Sequence, residues 1–256
     1  EIQIHSKRFF KFRFIVSKIP VWIVKIKETT ETLGMSVESA ICKVFNLARP
    51  YSFGSRVSPS LENEIIPVVR QAFRSMPKAI KHTGSESGPR GENSKCPYDF
   101  VLEGNKTLSV KSNKGKMVCP PEVGQPGAET CLHYFRLFFK PDIERVHNAD
   151  FKEMVYKHID EIMPIYLSHL MDSDWLLWIY REKDSFSFKV IESSKIKSYK
   201  WEKSNFSFTK PTIDEWNESN TVKYNGLTIG EFQVHSGRVC FKFRFHMPNL
   251  LKLLDL

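Results

Sequence analysis

The sequence predicts an α/β fold: a mixed central β-sheet flanked by helices, with a β-rich C-terminal part. Three observations carry that expectation. Apolar residues recur at helical spacing in several separate stretches. A hairpin of β-forming residues and one continuous apolar strand lie between those stretches. From Ser185 onward, short β runs alternate with polar turns. The 256 residues read as a single domain, with a core over about 30–184 and the β-rich part over about 185–256.

The chain opens with Phe10, Phe12, Phe14 and Val16 alternating with Lys11, Arg13 and Ser17. That period of two predicts a half-buried strand with a basic outer face, and residues 21–26, entered through Pro20, are its expected partner. Residues 32–45 predict a helix with Ser36 as N-cap and an apolar stripe of Val37, Ile41, Val44 and Phe45. Glu38 sits in the first turn of that expected helix, beside the stripe. A second helix follows Pro59, capped by Ser58 or Ser60, with Leu61, Ile65, Val68 and Val69 as its stripe and Glu62 and Glu64 near its start. Residues 85–95 are Gly, Ser, Pro and charge, a surface loop. Lys81, His82, Arg90 and Lys95 around it are either phosphate contacts or plain solvated groups.

Residues 99–102 form a short apolar run opened by Asp99. Glu103-Gly104-Asn105-Lys106 is turn chemistry, because Gly and Asn tolerate positive φ. Thr107 to Lys111 is a second β run, so the segment predicts a hairpin that sets Asp99 near Lys111 on neighbouring strands. A Gly- and Pro-rich loop carrying Gln125 leads into a helix over residues 127–139, with Cys131, Tyr134, Phe135 and Phe138 on one side. Residues 151–170 form a longer helix, kinked or restarted at Pro164. Its His158 reads as a core or boundary residue. Residues 175–180 are a continuous apolar strand of the kind buried on both faces. The remaining β runs cover 186–191, 206–209, 221–224, 227–234 and 238–245, with a turn at Ser236-Gly237. In the last run Val239, Phe241, Phe243 and Phe245 face one way, and Arg238, Lys242 and Arg244 the other.

Lys and Arg exceed Asp and Glu, for a formal net charge of +9. That excess suits a polyanionic partner or a merely solvated basic surface, and it says nothing about fold. Five cysteines, Cys42, Cys96, Cys119, Cys131 and Cys240, lack CxxC or metal-ligand spacing and read as reduced thiols. No segment reads as a transmembrane helix. The apolar run over residues 9–26 carries Lys11, Arg13, Lys18 and Lys25 and has no signal-peptide cleavage site. The chain starts at Glu1 without a methionine, so further residues upstream are expected.

The chemistry centres on Asp99 and Lys111. A carboxylate is a hard oxygen ligand for Mg²⁺. A lysine beside it can position or deprotonate a water and offset charge on a phosphorane-like transition state. The plainer reading is an exposed Asp–Lys ion pair, worth roughly 0–1 kcal/mol. Lys111, Lys114 and Lys116, with Ser112 and Asn113, make a basic and polar patch suited to backbone phosphates. Gln125, Gln233 and His235 carry groups that can meet base edges or phosphates, and Lys242 and Arg244 line a strand face that can follow a groove.

Pro97-Tyr98-Asp99 followed by Ser109-Val110-Lys111 resembles the P-D…(D/E)-x-K signature of the PD-(D/E)XK nuclease superfamily. The run from Leu108 to Asn113 is most similar to type II restriction endonucleases that cut short palindromic sites. Gly34-x-x-x-Glu38 resembles the early-helix Gly-x-x-x-Glu of many such enzymes. Gly230-Glu231-Phe232-Gln233-Val234-His235, followed by Arg238, resembles their C-terminal segments. The chain departs from the signature in having one residue between Pro97 and Asp99, and Ser109 where an acid usually stands. The resemblance implies a restriction-endonuclease-like core and Mg²⁺-dependent, site-specific hydrolysis of double-stranded DNA by a prokaryotic cytoplasmic protein, possible as a homodimer. It implies Asp99, the Val110 carbonyl and Glu38 (or Glu64) around the metal, Lys111 on the attacking water, and Ser109 contributing a hydroxyl. Ser112, Asn113, Lys114, Lys116, Gln125, Gln233, His235, Arg238, Lys242 and Arg244 are then the expected DNA contacts. Two other classes stay open: a structure-specific repair or recombination nuclease, and a non-catalytic DNA-binding protein.

Overall fold

The structure is a computed structural model describing residues 29–84, 86–88, 91–196, 199–235, 237 and 239–256. The strands expected over residues 10–16 and 21–26, and the residues Arg90, Ser236 and Arg238, lie outside the described residues. In chain order the elements are α1 (Thr30–Val44), α2 (Pro59–Ala72), β1 (Ala79–His82), β2 (Ser87–Gly88), β3 (Gly91–Lys95), β4 (Phe100–Leu102), β5 (Lys106–Asn113) and β6 (Met117–Val118). There follow α3 (Ala128–Phe135), α4 (Asn148–Leu170), β7 (Trp175–Glu182), β8 (Ser185–Glu192), β9 (Phe206–Phe208), β10 (Ser219–Tyr224), β11 (Leu227–Val234), β12 (Phe241–His246) and α5 (Met247–Leu253).

One five-stranded sheet runs β1-β4-β5-β7-β8 and a second runs β6-β12-β11-β10-β9, while β2 and β3 pair alone. The first sheet is mixed. Its β5 and β7 are parallel, with Val110 opposite Leu177, and its other neighbours are antiparallel. The second sheet is antiparallel throughout. The mixed α/β class expected from the sequence is therefore present. The first sheet extends beyond residue 184, because β8 pairs with β7 along its whole length. Phe186, Phe188 and Val190 of β8 pack against the core under α1 and α2, so its apolar side chains belong there.

Two cores explain the continuous apolar run of β7. Leu177 and Ile179 point into a core formed with α1 and α2, and Leu176 and Trp178 into a core shared with α4 and the second sheet. Side chains alternate across a strand, so a strand covered on both faces needs apolar residues at every position.

Local details correct two expectations. Ser36 does not cap α1. The helix starts earlier, at Thr30, where Thr29 Oγ1 accepts the Thr32 N–H at 3.0 Å. Ser36 is buried inside the helix, donating to the Thr32 carbonyl (2.7 Å) and accepting the Ser58 N–H (3.0 Å). Ser58, in turn, caps α2 as expected, through Leu61 N–H. In α4 the helix passes through Pro164, and the departure from helical backbone angles is at His158 (φ −127°, ψ 27°). The last strand begins at Phe241, and from there its Phe side chains are buried while Lys242, Arg244 and His246 occupy the other face.

Candidate active site

The hairpin forms with the register its turn dictates. Gly104 (φ 73°) and Asn105 (φ 56°) take the positive φ that the turn requires, and Phe100 pairs with Leu108. Asp99 then sits just before β4. Its N–H donates to the Leu108 carbonyl and its carbonyl accepts the Thr83 N–H, both at 2.9 Å. The carboxylate turns back onto its own hairpin, where Oδ2 accepts the Val110 N–H at 2.6 Å. Within a strand, one residue's N–H and C=O point toward the same neighbour. The Val110 carbonyl therefore faces the side on which Asp99 lies.

Lys111 follows on the same strand. Among the described residues it forms no ion pair with Asp99, so the plain Asp–Lys bridge is not what the structure contains. Its charge nonetheless acts on that carboxylate. Burial pushes the Asp99 carboxyl above its usual range. Lys111 opposes this, the negative charge of Glu38 adds to it, and the Val110 N–H and His82 oppose it in turn. Glu38 reaches this spot from α1, with Oε2 at 2.8 Å from His82 Nε2. Asp99 and Lys111 line a cleft of about 740 Å³, whose far wall carries the exposed Gln125, Glu129 and Thr130 together with His133 and Tyr134.

The other candidates divide clearly. Glu64 lies on the exposed side of α2, paired with Arg181 at 3.1 Å, and nothing brings it to Asp99. Glu62 is buried and held by Ser39 Oγ (2.6 Å), Lys43 (3.2 Å) and Arg49 (3.4 Å). Ser109 is buried. Its N–H donates to Ser173 Oγ at 3.1 Å, and its own hydroxyl has no hydrogen-bond partner among the described residues. His82 is no phosphate contact: its ring is closed between Phe53 and Phe100. Sequence reasoning missed its place beside Glu38, and no local signal marks it, because the residues that bury it come from distant segments.

Of the expected DNA contacts, Lys114 and Lys116 are exposed. Ser112 instead faces α1, at contact distance from Gly34, and Asn113 donates to the Met117 carbonyl. Gln125 is exposed, and its two neighbours are pinned: the Gly124 and Pro126 carbonyls accept the N–H groups of Phe243 and Phe241. Lys242 stands opposite Gln233, and Arg244 opposite Glu231, on the half-buried face of the second sheet. Glu231 binds Gln233 Nε2 at 2.5 Å and Arg244 at 3.5 Å. The carbonyl of His235 accepts from Asn148. Burial pushes the Cys119 thiol up, while the charges of Lys242, Arg244 and Lys111 all pull it down. Basic groups of both sheets thus act on one residue, Cys119.

Hard oxygen donors here are the carboxylates of Asp99 and Glu38 and the Val110 carbonyl. No group of three or more His, Cys, Asp or Glu side chains that could hold a metal occurs among the described residues. No helix among them is long and apolar enough to cross a membrane.

No protein-family model matches the chain, and no solved structure matches it. The chain is similar to the type II restriction enzyme CviAII of Paramecium bursaria Chlorella virus 1, with 29% identity over 228 residues, 88% of this chain. It spans 60% of the length of that relative.

Proposed function

We propose that this chain is a type II restriction endonuclease that hydrolyses both strands of double-stranded DNA at a short specific site with Mg²⁺. The carrying observation is that Asp99 and Lys111 line one cleft, with Glu38 of α1 close enough to act on the buried Asp99 carboxylate. Similarity to a type II restriction enzyme over most of the chain supports the same reading.

The donor set fits a hard divalent cation. Two carboxylates close enough to disturb each other, with a backbone carbonyl on the same side, are all-oxygen chemistry that a compact dication would relieve. Asp99, Glu38 and the Val110 carbonyl would hold it. When bound, Mg²⁺ supplies positive charge that offsets the charge of the scissile phosphate.

The chain's own groups do the rest. Asp99, fixed by the Val110 amide, cannot swing away from the cleft. The Lys111 ammonium orients the attacking water and stabilises charge building on the phosphate oxygens as the water oxygen bonds to phosphorus and one ester P–O bond breaks. Exposed Lys114 and Lys116, with Lys242 on β12, meet backbone phosphates along the adjoining face, and Gln125 projects from the far wall.

Digestion of a plasmid of known sequence, with and without Mg²⁺, tests this reading. Discrete fragments that require Mg²⁺ are expected, with cleavage abolished in Asp99→Ala while DNA binding persists. Random degradation, or retained cutting by Asp99→Ala, would remove the assignment.

A further inference from the structure

Glu38 stands on α1, whereas Asp99 and Lys111 stand on the hairpin. Its carboxylate therefore approaches Asp99 from a separate element, through a side chain with three rotatable bonds. A free glutamate of that kind would sample many rotamers, and ordering it costs entropy. Something has to aim it.

His82 is in position to do so. It lies on β1 opposite Phe100, the residue that follows Asp99. Its side chain is 3% exposed, against 23% for Glu38. Phe53 and Phe100 meet the ring edge to face, with centroids at 5.3 and 4.8 Å. A Cβ on Gly84 would lie 3.2 Å from His82 Cε1 and 3.3 Å from Glu38 Oε2, so the pair is closed on that side too. Nε2 is 2.8 Å from Glu38 Oε2, while Nδ1 is buried with no partner among the described residues. A carboxylate oxygen can only accept, so the Nε2 that meets Oε2 carries the hydrogen and donates to Glu38.

The two carboxylates are then built alike. Asp99 gives Oδ2 to the Val110 amide, and Glu38 gives Oε2 to His82. Each keeps one oxygen, Oδ1 and Oε1, without a hydrogen-bond partner among the described residues. We propose that His82 is a positioning residue: it fixes Glu38 so that a single oxygen, Oε1, is offered together with Asp99 Oδ1 to a divalent cation. This rests on the nuclease reading above.

The test uses the full chain, with Mn²⁺ as probe. Wild type, His82→Phe, His82→Gln and His82→Asn are compared, each also in a Glu38→Gln background. Three quantities are read: the Mn²⁺ dissociation constant by electron paramagnetic resonance without DNA, the Mg²⁺ concentration at half-maximal plasmid cleavage, and the melting midpoint. His82→Phe, which keeps a ring but loses the donor, is expected to weaken Mn²⁺ binding about 10- to 100-fold, the usual effect of removing a ligand's orienting partner. The Mg²⁺ requirement should rise in parallel. His82→Gln, whose amide can span to Glu38, should recover most of the loss, and the shorter His82→Asn should not. In the Glu38→Gln background, changes at residue 82 should add nothing.

Unchanged Mn²⁺ affinity in His82→Phe overturns the proposal. So does an equal loss in both backgrounds, or loss of cooperative melting in all three variants, since the ring would then serve packing alone. Wild type that cuts while His82→Phe matches it removes the His82 role and leaves the nuclease reading standing. Wild type that neither cuts nor binds Mn²⁺ removes both.

Discussion

One oxygen of Asp99 is taken by an amide of its own hairpin, so the carboxylate cannot turn from the cleft without giving up a charge-assisted bond worth about 1.5–3 kcal/mol. Lys111, by contrast, is not tied to that carboxylate and is free to act on a bound phosphate. Lys111→Ala should slow single-turnover cleavage by about 10²–10⁴-fold, while gel-shift affinity for DNA changes little. Lys111→Arg should not restore the rate, because a planar guanidinium cannot place one ammonium-sized charge. At this scale the legible residues are those whose reason is local. Gly104 and Asn105 announce the turn that sets Asp99 near Lys111. The choice between Glu38 and Glu64 is not legible, since which acid meets Asp99 depends on how α1 and α2 lie on the sheet. The pairing of His82 with Glu38 is hidden for the same reason: it joins residues 44 positions apart.

The rotation of α1 about its axis decides where Glu38 points, and the neighbouring Ser39 fixes it. Ser39 and Lys43 of α1, with Arg49, converge on buried Glu62 of α2. Burial works to raise the Glu62 carboxyl, but the Ser39 hydroxyl, Lys43 and Arg49 outweigh it and hold the group below its ordinary 4.5. A carboxyl lowered on folding adds stability that is full above its unfolded value and fades as pH falls through the folded one. Glu62→Gln should therefore destabilise the fold by about 1–2 kcal/mol at pH 7. In urea melts the deficit should shrink toward zero below pH 4.5. A pH-independent deficit would mean that shape, not charge, matters there.

In β11, a Cβ on Gly230 would lie 2.6 Å from the Arg244 carbonyl and 2.7 Å from the Phe243 ring. Gly230→Ala should cost about 1–3 kcal/mol, read as a lower melting midpoint. Element types are largely legible because the apolar period reports them. Boundaries are not: Ser36 reads as a cap, yet its hydroxyl is used by Thr32 and Ser58. The placement of β8 in the first sheet depends on which core its phenylalanines complete, and no local pattern carries that.

Across the whole molecule, the net charge of +9 gains meaning from where its members stand. Lys111 on the first sheet and Lys242 and Arg244 on the second act on the same thiol. Binding along this face should weaken steeply with salt. Lys116→Ala and Lys242→Ala should each flatten the dependence of log affinity on log salt by about 0.9 for every phosphate left without its lysine, without changing site preference. Gln125→Ala should do the reverse, shifting which plasmid sites are cut at an unchanged slope. Equal slopes for all three variants would remove the lysines from the phosphate track.

Residues 114–116 alone separate β5, which carries Lys111, from β6, which is joined to β12 through Phe245 and His246. A tether that short has no slack. If, as proposed, one sheet grips bases while a bond is severed beside the other, the tether acts as a gauge, setting the offset from gripped base to severed bond. Every product end should then carry the same overhang. Glycines spliced in beside Gly115 would loosen the gauge, and the ends would scatter over neighbouring nucleotides as a ladder on a sequencing gel.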